Sequence, residues 1–252
     1  MAALVVNRWI TPLFVGLLVL SGCSVPNEPT DVHDPYESVN RVTHNFNTAA
    51  DRVILRPASQ VYGHVVPNPV RSSLDNAAGN LGLPASALNK ALQGKLEDAV
   101  HNVARFMVNT TLGVFGLFDP AQDFGLEARD SNFGETLSVW GAEEGAYQVL
   151  PLIGPSTERD TAGLVVDIIT NPIGVMFGPD VEDADTGLFV TETLNYRYEF
   201  AGTIDSILYD SADSYSQLRI FYLDSRRFAV GTDGEEIAID PYEDLYDDFL
   251  QE

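Results

Sequence analysis

The sequence predicts a mainly α-helical protein with a single folded domain over residues 35–230. Apolar residues recur every three or four positions through most of this range, which is the spacing of one face of a helix. Without its two ends, the 252-residue chain has a length that one hydrophobic core can serve. Both ends differ from this middle part in composition.

Residues 1–22 have the composition of a lipoprotein signal peptide. Arg8 supplies a positive charge, and residues 10–20 form an apolar run that is too short to span a bilayer, which takes about 20 residues. Leu20-Ser21-Gly22-Cys23 then matches the lipobox, in which the thiol receives a diacylglyceryl group. Cys23 is the single cysteine, so a disulfide framework is excluded and lipidation at Cys23, with fatty acids such as palmitate, is expected.

The lipidated cysteine predicts a stable membrane anchor, because more than one acyl chain is attached to it. Ser24 stands where an aspartate would favour retention in the inner membrane, so we expect the outer membrane, on its periplasmic side. Residues 23–34 are polar with two prolines and are predicted to be a tether rather than part of the fold.

The net charge of -23 restricts the partners of the chain. Lys90 and Lys95 are its two lysines, so the sequence lacks the positive patch that nucleic acid requires, and nucleic acid is excluded as a partner. Contact with lipid is expected through apolar surface. After Arg227 the sequence carries acids and no further base, which indicates a flexible acidic tail over 231–252; a docking segment for a basic partner remains the alternative.

The first helix is predicted to start at Pro35 and to run for about 14 residues, with Asp34 as its N-cap. Breaks are expected at residues 55–57 and 66–69, where proline interrupts the pattern. A second helix is predicted over 69–81. Three residues at the end of this second helix are expected to interrupt the helical pattern: Gly79, Gly82 and Pro84.

Residues 96–112 give the clearest amphipathic helix, with an acidic first turn and with Gly113 placed to end it. Two apolar stretches without a polar face lie at 113–118 and 168–177. Each is too short to span a membrane, so burial in a core and shallow insertion into a lipid leaflet both remain open.

The long segment over residues 133–160 is rich in glycine, proline and aromatic side chains and is predicted to form hairpin loops. Helical spacing returns after it. Two further helices are predicted over 185–205 and 211–226, and they complete the domain.

No catalytic, metal or cofactor site is predicted, and the chain is not expected to be an enzyme. Ser156 lies outside a Gly-x-Ser-x-Gly elbow, and the sequence has no phosphate-binding glycine loop. Arg159 and Asp160 are interpreted as a local ion pair or cap. The four histidines are too far apart for a metal-binding pair on one helix face: His33, His44, His64 and His101.

A series of short motifs spans most of the chain. It begins with Asp34-Pro35-Tyr36-Glu37-Ser38-Val39-Asn40-Arg41 and continues through Asn45-Phe46-Asn47; its most specific part is Leu150-Pro151-Leu152 with Gly154-Pro155-Ser156-Thr157 and Arg159-Asp160. In order and spacing, these motifs resemble the MlaA (VacJ) family, lipoproteins of the Gram-negative outer membrane. Ala146 and Asp213-Ser214-Tyr215 depart from the family pattern, which has a proline at each place, so different turn geometry is expected there.

The resemblance implies a ring-like, multi-helix domain with a long hairpin loop, lying in the inner leaflet of the outer membrane around a polar channel. Phospholipids misplaced in the outer leaflet would pass through it to a periplasmic lipid-carrier protein, which maintains lipid asymmetry. A trimeric porin is a further partner that the family suggests. A structural envelope lipoprotein without transport activity remains the alternative.

On this resemblance, the hairpin beside the channel supplies one set of candidate residues: Gly145, Pro151, Gly154, Pro155, Ser156, Arg159 and Asp160. Of these, Arg159 and Asp160 are expected either to meet a lipid headgroup or to support the loop as an ion pair. The N-terminal motif supplies a second set without an assigned role: Asp34, Pro35, Glu37, Asn40, Arg41, Asn45, Phe46 and Asn47.

Overall fold

The computed structural model of the protein describes residues 32–173 and 178–231. The predicted signal peptide, Cys23 and the acidic tail beyond residue 231 lie outside the described residues, as do positions 174–177 of the second apolar stretch. The described part is mainly helical and contains one two-stranded sheet, which confirms the predicted fold class.

The domain starts with one continuous helical rod in three parts. Helix α1 (Glu37–Ala50) has the predicted length, a π-helical turn (Asp51–Leu55) follows it, and α2 (Arg56–Val65) completes the rod. The chain is therefore helical without a break from Glu37 to Val65.

The break predicted at residues 55–57 is wrong because the helix widens there instead of ending. The Arg56 N–H reaches the Asp51 carbonyl, one residue further back than in an α-helix, and this gives the ring of Pro57 the space it needs. The predicted N-cap is also wrong, since α1 starts without a side-chain cap and Asp34 bonds to other side chains.

Helix α3 (Asn68–Leu92) begins at the second proline break, where the chain is extended as predicted. It does not end near residue 81 but runs through Gly79, Gly82 and Pro84. Its packing against helices on two sides outweighs the local cost of these residues. Next come α4 (Leu96–Thr111), which confirms the predicted amphipathic helix, and the short α5 (Pro120–Asp123).

The long segment over 133–160 holds more regular structure than predicted. It contains α6 (Phe133–Val139), strands β1 (Tyr147–Leu150) and β2 (Gly154–Thr157), and the start of α7 (Glu158–Thr170). Only the β1–β2 part is a hairpin.

Two helix caps explain this difference. The Asn132 side chain accepts a hydrogen bond from the Glu135 N–H at the start of α6, and Thr157 accepts one from the Asp160 N–H at the start of α7. A capping residue followed three positions later by an acid is a recognised sequence pattern for a helix start. It was present in the sequence at both places.

The last quarter of the described chain is helical almost throughout. Helix α8 (Pro179–Glu199) starts earlier than the predicted 185, and α9 (Ala201–Asp205) follows it. A second π-helical turn (Ser206–Asp210) leads to α10 (Ser214–Gly231), which begins later and extends further than predicted.

Contacts between these elements close into a ring. The α1–α2 rod packs on α8, α8 packs on α3, α3 on α6, and α6 on α7; α7 then contacts β2, and β1 returns to α1. Helix α4 packs on α3, while α10 packs on β2 and α6. The elements thus follow a closed circuit, as the family resemblance implied.

Burial in this ring is inverted relative to an ordinary globular core. Among the described residues, buried polar and charged side chains outnumber buried apolar ones. On α4 the predicted apolar stripe faces outward, with Leu96 and Met107 exposed, while Asn102 and Asn109 are buried. The large apolar side chains of the stretch at 113–118 are exposed too, with Phe115 at 79% exposure, so burial in a core is wrong for them. None of the described helices combines the length and the apolar composition needed to cross a membrane.

Candidate functional site

The β1–β2 hairpin is the most irregular part of the ring. Its antiparallel strands pair Tyr147 with Thr157 at the open end. Leu152 in the turn and Gly154 at the start of β2 have positive φ angles, of 64° and 103°. Leu152 and the neighbouring Ile153 both expose their side chains. The hairpin therefore presents an apolar tip on a strained turn.

Two asparagines of α1 hold the outer edge of β1. Asn40 donates to the Tyr147 carbonyl at 3.0 Å and accepts from the Val149 N–H at 2.9 Å. Asn47, two helical turns later, donates to the Leu150 carbonyl at 2.9 Å and accepts from the Leu152 N–H at 2.7 Å. Each amide thus occupies the place of a neighbouring strand, and together they form the asparagine clip, Asn40 and Asn47.

Asp34 ties this clip to the last helix. Its carboxylate accepts hydrogen bonds from Asn40 at 2.9 Å and from the Tyr215 hydroxyl, and it forms an ion pair with Arg219. Burial, followed by the nearby Asp34 carboxylate, raises the pKa of Tyr215 above its ordinary value. The motif residue that was predicted as a cap is therefore a junction between α1 and α10.

The remaining motif residues divide into two groups. Glu37 and Arg41 form an ion pair at 2.7 Å, and Arg41 also bonds both oxygens of Asp213. In contrast, Pro35, Asn45 and Phe46 are exposed. The sequence pattern did not distinguish these two groups.

Ser214, which departs from the family pattern, contacts a buried histidine. The Ser214 hydroxyl lies 2.8 Å from Nε2 of His44, and the His44 ring packs edge-on against Tyr215. Burial lowers the pKa of His44, and Arg41 lowers it further, against the opposing effect of Asp213. The sequence interpretation gave His44 no role, and its place on the inner face of α1 was the available signal.

Arg159 and Asp160 lie at the start of α7 and are both buried. Asp160 is bonded by Arg226 and by the Tyr222 hydroxyl at 2.7 Å. Although burial opposes its charge, Arg226 holds the pKa of Asp160 below the ordinary value. Nε of Arg159 lies 3.5 Å from Asp160. Nε and Nη2 of Arg159 are buried without a hydrogen-bond partner, so Arg226 rather than Arg159 is the main partner of Asp160, and both roles expected for the pair stay predictions.

The other hairpin candidates shape the chain. Gly145 has φ of 71°, and a Cβ there would lie 2.7 Å from a Glu158 carboxylate oxygen. Pro151 lies in the exposed turn, and Pro155 faces Val149, a position in the ladder where no N–H is needed. The Ser156 hydroxyl is buried and lies 2.9 Å from that of Thr161, so it shows no activated nucleophile geometry.

A second polar network, missed from the sequence, joins the α1–α2 rod to α8 and α9. Arg197, buried to all but 2%, bonds both oxygens of Asp51 and one of Asp205. Asp205 also pairs with Arg56 at 2.7 Å, and Tyr209 donates to Asp51. Arg197 is the basic residue of the last turn of α8, in an otherwise acidic helix, and this was the signal that its sequence offered.

A cleft of about 320 Å³ opens between α3 and α8. Its wall carries two carboxylates, and the residues that line it are Ala78, Gly82, Asp185, Thr186, Phe189 and Glu192. The ring thus combines a polar interior and an apolar exterior with an acidic cleft between α3 and α8.

The sequence model of the family described as "MlaA lipoprotein" matches residues 32–229. The chain belongs to the MlaA lipoprotein family. This match covers both strands of the hairpin and the helices of the ring except for the last two residues of α10, so the resemblance inferred from the motifs is confirmed.

Individual proteins similar to this chain agree with the family assignment. Proteins of Haemophilus influenzae and Escherichia coli, both named "Intermembrane phospholipid transport system lipoprotein MlaA", are each 31% identical, over 98% and 90% of both chains respectively. An uncharacterized protein of Rickettsia conorii is 34% identical over 79% of this chain and 78% of its own.

A solved structure described as "Structural basis for maintenance of bacterial outer membrane lipid asymmetry" has a similar fold. It matches at a TM-score of 0.67 with 32% identity, and the alignment covers 78% of this chain and 98% of that chain. The agreement extends the family assignment from sequence to architecture.

Proposed function

We propose that the protein belongs to a phospholipid trafficking system of the outer membrane and provides a polar passage through which misplaced outer-leaflet phospholipids are removed. The observation that carries this proposal is the inverted burial of the ring, which turns apolar side chains outward and polar ones inward. The relatives named for intermembrane phospholipid transport and the structure described for lipid asymmetry support it.

The physical role of such a ring is to lower a barrier. Moving an ionic headgroup through hydrocarbon is costly, and polar side chains along a path supply the interactions that hydrocarbon lacks. Exposed apolar residues such as Val53, Val65 and Phe115 suit contact with acyl chains. A passive passage lets lipid move down its free-energy gradient, so the direction comes from partners.

The proposed organisation places a signal peptide at 1–22, a tether at 23–34 lipidated on Cys23, the ring at 35–230 and an acidic tail at 231–252. The protein is anchored in the outer membrane and faces the periplasm. Its proposed partners are phospholipid, a periplasmic lipid carrier and a trimeric porin. No catalytic step is proposed, and the buried hydroxyl of Ser156 supports this.

The test measures phospholipid in the outer leaflet of cells that lack the protein, with a phospholipase that reaches only that leaflet. We expect excess exposed phospholipid, corrected by the intact chain and not by Cys23→Ala. Normal asymmetry in the deletion strain, where no second copy exists, would overturn the proposal in favour of a structural envelope lipoprotein.

A further inference from the structure

A buried histidine joins α1 to α10, the first and last helices that the structure describes. His44 is 4% exposed, and its Nε2 lies 2.8 Å from the Ser214 hydroxyl at the start of α10. Its ring also packs edge-on against Tyr215, with the two ring centroids 5.7 Å apart. A proline at position 214, which the family pattern has, carries no hydroxyl, so this polar contact depends on a residue in which the chain departs from the pattern.

His44 lies on the same face of α1 as the asparagine clip. Asn40, His44 and Asn47 follow one another at intervals of four and three residues, which places their side chains on one side of the helix. The two asparagines bond the hairpin, whereas the histidine between them bonds α10. The contact between His44 and Ser214 therefore holds α1, together with the hairpin clipped to it, against α10.

The Tyr215 ring beside His44 is surrounded by charged and titratable side chains. The Arg41 guanidinium lies 4.4 Å from the centroid of this ring, and it also bonds both oxygens of Asp213. The acid at position 213 is thus already paired with a base. The surrounding groups come from the N-terminal motif, from β1 and from α10 with the residue before it: Asp34, Glu37, Arg41, Tyr147, Asp213, Tyr215 and Arg219.

A positive charge on the His44 ring is unfavourable in this setting. Burial lowers the pKa of His44, and Arg41 lowers it further, against the opposing effect of Asp213. A protonated imidazole would also be a second cation beside the Tyr215 ring. Carboxyl, tyrosine and arginine side chains ordinarily titrate outside the range from about pH 5 to about pH 7.5. His44 is therefore the group whose charge is expected to change in this range.

We infer that His44 and Ser214 form a pH-dependent latch between α1 and α10. Protonation of the imidazole at acid pH opens the latch, and α1 then tilts away from α10 with the hairpin attached. This movement rests on the contacts of the two helices alone. Its consequence for lipid, a passage that opens further at acid pH, rests on the proposed function.

The other contacts between the two helices define the movement. Asp34, which precedes α1, stays bonded to Tyr215 and Arg219 and acts as the pivot of the tilt. The ion pair between Arg41 and Asp213 resists the tilt only weakly, because the two side chains are 40% and 44% exposed and water competes for both. The buried contact of His44 therefore decides whether α1 stays against α10.

The test measures the distance between the hairpin tip and α10 in the purified full-length protein in detergent. Nitroxide labels are attached at Ile153→Cys and Gln217→Cys, both at exposed positions, and pulsed EPR gives the distance distribution at about pH 7.5 and about pH 5. The chain without these two changes should take up no label, since the proposed lipid blocks the thiol of Cys23.

We expect a second, longer distance at acid pH. With an ordinary pKa of about 6.5 for the exposed imidazole, the ratio of open to closed protein should rise by up to about 30-fold between the two pH values. His44→Gln should abolish this rise, because glutamine does not titrate. A ratio that does not change with pH, or a rise that persists in His44→Gln, would overturn the latch.

Three comparisons isolate the contact. His64→Gln removes an exposed imidazole from the same helical rod and should leave the pH response unchanged. Ser214→Ala removes one hydrogen bond and should raise the open-to-closed ratio about fivefold at neutral pH; an unchanged ratio would contradict the role of the hydroxyl. The Val149 amide should keep its protection from hydrogen exchange at both pH values, after correction for intrinsic rates, since the clip moves with α1. Loss of this protection would mean that the hairpin unfolds instead of tilting.

A second measurement separates the latch from the passage. The protein is placed in vesicles, and the movement of a fluorescent phospholipid between the leaflets is followed by quenching from outside. We expect faster movement at acid pH in the unmodified protein and equal rates at both pH values in His44→Gln. Distances that respond to pH without lipid movement would contradict the proposed passage alone, whereas lipid movement with unchanged distances would contradict the latch alone.

Discussion

Replacing Asn40 by alanine should loosen the hairpin from α1 much more than the same change at Asn47. Asn40→Ala leaves the Tyr147 carbonyl and the Val149 N–H buried without partners. Each such group costs about 1–3 kcal/mol, so the free energy of unfolding should fall by about 2–6 kcal/mol. The bond from the Leu152 N–H to Asn47 is exposed, so water replaces it and the loss should stay near 1 kcal/mol.

Urea unfolding in detergent micelles, followed by circular dichroism, measures both losses. Hydrogen exchange of the peptide over 147–157 gives a local readout, and the Val149 amide should exchange faster in Asn40→Ala. Thr43→Ala is a matched control, since it removes an exposed hydroxyl from the same helix. Equal losses for the two asparagine variants, or unchanged exchange at Val149, would refute the argument from the clip.

Gly163→Ala should lower the free energy of unfolding by more than about 2 kcal/mol, because its Cβ would lie 2.3 Å from the Gly134 nitrogen. Gly79→Ala, whose Cβ meets nothing within 4 Å, should instead stabilise α3 by up to about 1 kcal/mol. The reverse order in chemical unfolding would contradict the packing of α6 on α7. Burial lowers the pKa of His44, so the unfolded chain takes up this proton first. The stability that His44 contributes is therefore complete above about pH 6.5 and is lost as the pH falls below that value. The free energy of unfolding, measured at a series of pH values, should depend less on pH in His44→Gln than in the unmodified protein. Phe115→Ser should change unfolding by less than about 0.5 kcal/mol yet weaken flotation with vesicles; a large loss of stability would mean that the exposed ring packs internally.

The sequence predicted the helices whose apolar stripes are uninterrupted, such as α1 and α4, because periodicity is a local property. It missed the starts of α6 and α7, whose caps Asn132 and Thr157 were local signals, and it failed elsewhere for reasons that helix propensity does not show. Pro57 did not end the first rod, since the π-helical turn accommodated its ring, and α3 continued through Pro84 because neighbouring helices hold it on two sides. Local propensity carries no information on either effect.

Prediction of the candidate site was similarly divided. The family motif identified Asn40, Asn47 and Asp160, which the structure joins in hydrogen-bond networks, but it gave the two asparagines no role and left two roles open for Asp160. The network around Arg197 was missed because its partners, Asp51 and Asp205, are far away in sequence. Such pairings depend on how helices meet, and a single sequence shows only that an isolated base lies in an acidic helix.

The spacing of the asparagine clip fixes the position of the hairpin along α1. Asn40 and Asn47 are separated by a helical rise of about 10.5 Å. The strand groups they bond, at Tyr147 and Leu150 and again at Val149 and Leu152, are each three residues apart, about 10 Å along a strand. A slip of one residue would turn the Tyr147 carbonyl and the Val149 N–H away from Asn40, because the backbone groups of neighbouring residues point to opposite edges of a strand. The hairpin can therefore follow a tilt of α1, but it cannot slide along it, and any displacement of its tip must come from bending at the turn or from moving the helix itself.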